Sequence, residues 1–337
     1  MAVRLEAIDE YMHALGPEPT FNESMYFNLY DSSHRLGGWF RLGNRANEGH
    51  AEMTVCLYLP DGRVGFMFRR ATIADNSAFA AGGLRFEVIE PFEALTATYE
   101  GTVVLLDEPK AMADPKRAFT ENPHADCAIA LDYRRVSAMF GGEPDEHHER
   151  PGEEFAKGHY EQLVTSSGTV RVGDEEWAVA GAGLRDHSWG PRTWQAPWYY
   201  RWLTANGHPD VDGRAEDGAW GFMLSRIARA DGPGTRGGFV WEDGALHLCQ
   251  HAEITTAWTG ADSYHDEVAL GLRSGDREWR GTGRVLNLIP LRNRREGRVT
   301  RISEGLTEWT LDDGRVGYGL SEYLDQIIDG QPVGLDE

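Results

Sequence analysis

Cysteine is nearly absent: Cys56, Cys127 and Cys249 are the only three in 337 residues. They lie far apart and are odd in number, so they offer neither a disulfide framework nor a zinc-ligand spacing, and they suit a reducing cytosol. Long apolar runs are missing too. No stretch reaches the roughly 18 uninterrupted apolar residues of a membrane-spanning helix. Glu6, Asp9 and Glu10 interrupt the N-terminus where a signal peptide would need an apolar centre. A cytoplasmic protein with no stable membrane insertion is therefore expected. Cations are scarce: 33 Lys and Arg against 54 Asp and Glu leave a net charge of -21. So acidic a chain repels phosphate backbones, which argues against nucleic acid as a partner. Also missing are a GxGxxG between strand and helix, a Walker loop, a GxSxG elbow and an HExxH pair. His147 and His148 stand among acids in a polar stretch and read as solvated. No metal and no cofactor are expected.

What is abundant is glycine (40), tryptophan (11) and tyrosine (12), and turns alternating with aromatics point to β-structure. Residues 5–15 place Leu5, Ile8, Met12 and Leu15 on one face of a short amphipathic helix, which Gly16 and Pro17 stop. From Tyr26 onward the period becomes two. Strand-like runs follow one another, separated by turn signals such as Asp61-Gly62, Asp243-Gly244 and Asp312-Asp313-Gly314. Residues 107–125 read as a long connection, and 141–154, dense in charge, as a mobile loop near a division of the chain. Two β-domains are expected, residues 1–155 and 156–337, each an antiparallel barrel or sandwich. The fold class is all-β with a short N-terminal helix.

The most informative stretch is Gly183-Leu184-Arg185-Asp186-His187-Ser188-Trp189-Gly190-Pro191-Arg192-Thr193-Trp194, followed by Pro197-Trp198-Tyr199-Tyr200-Arg201-Trp202. Tryptophans supply flat apolar walls, and arginine and histidine the few directed polar groups that a pocket needs. His187 is the natural proton-transfer residue, because imidazole alone titrates near neutrality unperturbed. The His-Ser-Trp-Gly-Pro-Arg stretch reads as a tight turn, and Asp186 could orient His187 if that turn brings the two together, although strand neighbours point to opposite faces. Alternation puts Trp198, Tyr200 and Trp202 on one side and Tyr199 and Arg201 on the other. Arg192 and Trp194 extend the candidate ligand surface. Glu322, in line with Val316, Tyr318 and Leu320 on the last strand, is either a strand-end group reaching solvent or a buried acid.

The GLRDHSWGPR string leading into WYYRWLTAN resembles the signature of the hydroxyneurosporene-synthase-like, or AttH-like, superfamily, which includes the carotenoid 1,2-hydratases. MYFNLYDSSHRLGGWFRLGNRANEG and GRVGYGLSEYL resemble its uncharacterised branch. The resemblance implies two lipocalin-like β-domains, an apolar ligand pocket in or between them, and cofactor-free acid/base chemistry on isoprenoid-like or polyketide-like substrates. It carries the catalytic histidine and tryptophan onto His187 and Trp189, and a tyrosine onto Tyr199 or Tyr200. No aspartate matches the further acid of the hydratases; Arg201 stands near its place. The expected function is a lyase or isomerase (hydratase, cyclase or double-bond isomerase) acting on a hydrophobic small molecule. The rival is a non-catalytic carrier of such a ligand.

Overall fold

The computed structural model describes residues 3–144, 155–207 and 218–336. They fall into two compact units: residues 3–108 with 118–193, and residues 109–117 with 194–336. Both units are antiparallel β, as the two-period pattern requires.

The first unit is a closed barrel of eight strands: β1 (Phe21–Asp31), β2 (Leu36–Arg45), β3 (His50–Tyr58), β4 (Val64–Thr72), β5 (Ala94–Leu106), β6 (His124–Arg135), β7 (Gly158–Val172) and β8 (Glu175–Pro191). Following the ladders around, β1 to β4 pair in sequence, then β4 with β5, β5 with β6, β6 with β7, β7 with β8, and β8 returns to β1. Closure removes the edges that an open sheet would expose. One part of the interior is apolar: Phe27, Phe40, Met53, Tyr99 and Val164 belong to one buried cluster. At the far end of β1 the buried Asp31 carboxylate accepts the Ala180 N–H of β8 at 3.0 Å, which ties the closing ladder.

The second unit carries a sheet whose strands run in chain order from β9 (Tyr199–Gly207) through β10 (Trp220–Arg229), β11 (Gly232–Glu242), β12 (Ala245–Cys249), β13 (His251–Thr259), β14 (Tyr264–Ser274), β15 (Arg277–Arg295) and β16 (Arg298–Leu311) to β17 (Val316–Ile328). In space β17 lies between β9 and β16. Its core holds Leu203, Phe222, Trp309 and Tyr323.

Three expectations change. The division falls at 193/194 rather than 155/156, because β7 and β8 complete the first barrel through β6 and β1. The His-Ser-Trp-Gly-Pro stretch is strand, not a tight turn. Gly190 takes φ 112, open to glycine alone at low cost, and pairs with Asn22, while Pro191 pairs with Phe21. Proline is tolerated there because the ladder to β7 has already ended at Gly158 opposite Trp189. Third, the N-terminal helix shrinks to a 3-10 turn, Ala7–Glu10, and its polarity inverts: Ile8 and Leu15 are exposed while Asp9 and Glu10 are buried. Charge partners inside the barrel outweigh the apolar stripe. In the connection 107–125 a 3-10 turn (Pro109–Ala113) precedes a short helix (Pro115–Glu121). Of the loop expected at 141–154, Phe140–Pro144 is strand, and 145–154 lie outside the described residues.

Candidate active site

Alternation along β8 sends Arg185, His187 and Trp189 inward and Asp186 and Ser188 outward. Register places their neighbours: Tyr160 lies opposite His187 and Gln162 opposite Arg185 on β7, while Glu23 lies opposite Trp189 on β1. The 3-10 turn adds Asp9 and Glu10, and the following segment adds His13. Gly158 lies under Trp189; a Cβ there would come within 2.2 Å of the indole, so only glycine leaves the ring its place.

These side chains form one continuous hydrogen-bonded chain. His13 Nε2 lies 3.3 Å from Asp9 Oδ1, and its Nδ1 2.7 Å from Glu23 Oε1. The same Glu23 oxygen is 3.0 Å from His187 Nε2. On the other edge of that ring, Nδ1 is 3.3 Å from the Tyr160 hydroxyl, which donates to Glu10 Oε1 at 2.7 Å. Arg185 closes the array with a two-pronged grip on Glu10, at 2.7 and 2.9 Å, and on Gln162 Oε1. Asn76 donates to Glu23 Oε2 at 2.6 Å.

Burial sets the electrostatics. Glu10, Glu23, Tyr160, Arg185 and His187 are all fully enclosed, whereas the His13 side chain keeps 19% exposure and is the member of the array's histidine pair that meets solvent. His13 stacks on Trp189, centroids 4.1 Å apart at 13°. Edge-on contacts from Phe79, Tyr160 and Trp189 complete the walls around His187. Burial alone would raise the Glu23 carboxyl, but hydrogen bonds and charge from His13 and His187 overcome it and hold Glu23 at about 2. Burial also opposes protonation of His13, yet the carboxylates of Glu23 and Asp9 raise its pKa above the ordinary histidine value. Burial pushes the Tyr160 phenol well up, so it stays protonated.

Of the residues singled out in the sequence, His187 and Trp189 are in this array. Asp186 is not: it points to the other face of β8, where His159 lies 3.5 Å away. Glu23 takes the place expected for it. Arg192 also lies on that outer side, donating to Ser188 Oγ and the Phe155 carbonyl. Trp194, Trp198, Tyr199, Tyr200, Arg201, Trp202 and Glu322 belong to the second unit. There the fully buried Arg201 makes a double ion pair with Asp325, with the Tyr199 and Tyr323 rings 4.7 and 4.4 Å from the guanidinium carbon. These contacts tie β9 to β17. Tyr200 and Trp202 are buried on the opposite face, and Glu322, half-buried, pairs with Trp202 across the ladder. Around His187 the rings in contact are those of Phe79, Tyr160, His13 and Trp189, the last being the one indole among them. A cavity of about 490 Å³ lies on the second unit, with a mixed lining that includes Thr255, Thr282, Thr310, Glu267, Arg284 and Ala269.

Glu10, His13, Glu23, Tyr160, Arg185 and Gln162 were missed. Two signals were present: Arg185 shares the inward face of His187, and Glu23 heads the apolar series Met25, Phe27 and Leu29. Nothing local marks Glu10 or His13.

No curated protein matches the sequence. Solved structures do match in fold. An AttH-type protein from Nitrosomonas europaea superposes with a TM-score of 0.60 at 15% identity, over 92% of this chain and 97% of that one. Kievitone hydratase from Nectria haematococca gives 0.55 at 10% identity, over 90% and 88%. CghA gives 0.54 at 12%, over 91% and 88%. The all-β, two-unit, lipocalin-like architecture implied by the DHSWG block is thus the fold observed. Residues 6–327 match the model of a domain of unknown function, DUF7064, and the chain belongs to that family.

Proposed function

We propose that the protein is an acid/base lyase or isomerase (a hydratase, cyclase or double-bond isomerase) that works without a cofactor on a hydrophobic, isoprenoid-like or polyketide-like small molecule. The observation that carries this reading is the unbroken hydrogen-bonded path from solvent-edge His13 through Glu23 and His187 to Tyr160. Hydration or double-bond migration needs a proton delivered to one carbon and a base to receive one back. His13 is the group placed to exchange a proton with a substrate, and Trp189 beneath it offers an aromatic face to developing positive charge. Glu23 orients His13, and His187 holds Glu23 in turn, so both act through His13. That a relative in fold bears the name hydratase supports the same reaction class.

A carrier of an apolar ligand is the second reading, favoured by the complete enclosure of His187. The discriminating experiment incubates the protein with a panel of isoprenoid and prenylated-phenol alkenes in heavy-oxygen water and, separately, in heavy water, and weighs the products. Oxygen label marks hydration, deuterium on carbon without added oxygen marks double-bond isomerisation, and a new isomer without label marks cyclisation. Catalysis requires label in the wild type and a loss of ~10²–10⁴-fold in His13→Ala, with ligand affinity kept. Affinity for the panel with no label in either solvent and no new isomeric product on chromatography establishes the carrier instead.

A further inference from the structure

We infer that His13, Glu23 and His187 also form a binding site for a divalent transition-metal ion of the zinc class, whose occupation blocks the proton path. Two imidazole nitrogens and one carboxylate oxygen are a donor set that zinc, cobalt and nickel favour over magnesium or calcium, which take oxygen ligands. Their ligand atoms already converge: all lie within 4.8 Å of one another, with Glu23 Oε1 2.7 Å from His13 Nδ1 and 3.0 Å from His187 Nε2. Tetrahedral ligands bonded to zinc at about 2.0–2.1 Å stand roughly 3.3 Å apart, so the two Glu23 contacts need to open by about half an ångström or less, while the two imidazole nitrogens already lie within 4.8 Å of each other.

The surroundings are those that a metal site requires. Each ligand has its far atom held by a second group: Asp9 on His13 Nε2, the Tyr160 hydroxyl on His187 Nδ1, and Asn76 on Glu23 Oε2. Carboxylates and hydroxyls in those positions orient the imidazoles and make them better donors. Stacking on Trp189 fixes the plane of the His13 ring. Three protein ligands leave a fourth position, and His13, at the solvent edge, gives the ion its way in. Once bound, the ion occupies the lone pairs through which His13, Glu23 and His187 exchange protons. Blockage of turnover rests on the acid/base reading above; binding itself does not.

The test titrates the chelator-treated full chain with cobalt(II), read by its visible absorption, and then displaces cobalt with zinc in a calorimeter. One equivalent should bind with four-coordinate cobalt bands. Glu23→Gln should weaken it by ~100-fold or more, and Asp9→Asn, which leaves all three ligands in place, by ~10–100-fold. A second cluster of potential ligands among the described residues, His159, Glu161 and Asp186 on the outer face, is the control: His159→Ala should change nothing. Circular dichroism confirms that each variant is folded, and should Glu23→Gln fail to fold, Asp9→Asn decides. Absence of binding, or binding lost in His159→Ala but kept in Asp9→Asn, overturns the site. Stoichiometric zinc should abolish any isotope incorporation found in the metal-free protein, and chelator should restore it. Incorporation seen only in the zinc-loaded protein keeps the site and overturns the blockage. No incorporation in either form overturns the acid/base reading, while the cobalt titration still decides the site.

Discussion

Replacing Arg185 with methionine removes one half of a dry ion pair and leaves the other behind. Both partners are fully buried, and the guanidinium gives two hydrogen bonds to Glu10 and two to Gln162. Without it, Glu10 keeps only the Tyr160 hydroxyl and the Phe92 N–H. Stranding one charge of a buried pair costs about 3–5 kcal/mol, whereas exchanging both for apolar groups of similar size is often close to neutral. Glu10→Leu combined with Arg185→Met should therefore be more stable than Arg185→Met alone. The gain should be about 2 kcal/mol, because Tyr160, Gln162 and Phe92 lose partners in the double variant. Urea unfolding followed by circular dichroism and tryptophan fluorescence, compared at unchanged slope, gives both values. The reasoning is refuted if Arg185→Met lies within about 1 kcal/mol of the wild type, or if the double variant loses as much as the two single ones summed.

Gly158→Ala should lose about 1–3 kcal/mol and shift tryptophan emission, since the new methyl meets the Trp189 ring at 2.2 Å; unchanged emission and melting would remove the argument that the indole needs a glycine. Asp31 has a carboxyl held below its ordinary value: burial would raise it, but Ser33, the Ala180 N–H and His34 outweigh that. Its stabilising contribution is thus full above the unfolded pKa of about 3.9 and is lost as pH falls through the lower folded value. Asp31→Asn should be less stable near neutrality, with the gap to wild type narrowing on acidification, as read from melting temperatures between about pH 6 and pH 2; a constant gap would dismiss the linkage.

How far the sequence reached differs between fold and site. Strand positions were legible because alternation is a local property: Met25, Phe27 and Leu29 mark β1, and Asp61-Gly62 marks the turn to β4. Which strands share a barrel is not local. The β8-to-β1 ladder joins Ala182 to Tyr30 and Pro191 to Phe21, and no spacing in the chain announces that pairing, so the domain boundary was placed too early. His187 was singled out by its imidazole in a dense aromatic stretch, the resemblance added Trp189, and the structure brings both rings together. Glu10 and His13 were hidden by an apolar periodicity that favoured Ile8 and Leu15, which the structure leaves outside. Their burial follows from partners in β7, β8 and β1, and propensity cannot foresee a partner so distant. Around Arg201 the aromatics were legible, but its ion-pair partner Asp325, 124 residues away, was not.

The closing ladder also fixes when the histidine array can exist. Glu23 and His187 are 164 residues apart in the chain, so on the ribosome Glu23 emerges long before the imidazole that will hold it. Until β8 arrives, the early strands form an unclosed sheet with two free margins, the kind of intermediate that invites mispairing and calls on chaperones. Such long-range pairing also slows folding. Assembly of the array is therefore a late event of biogenesis, and a nascent chain halted before Trp189 carries none of its chemistry.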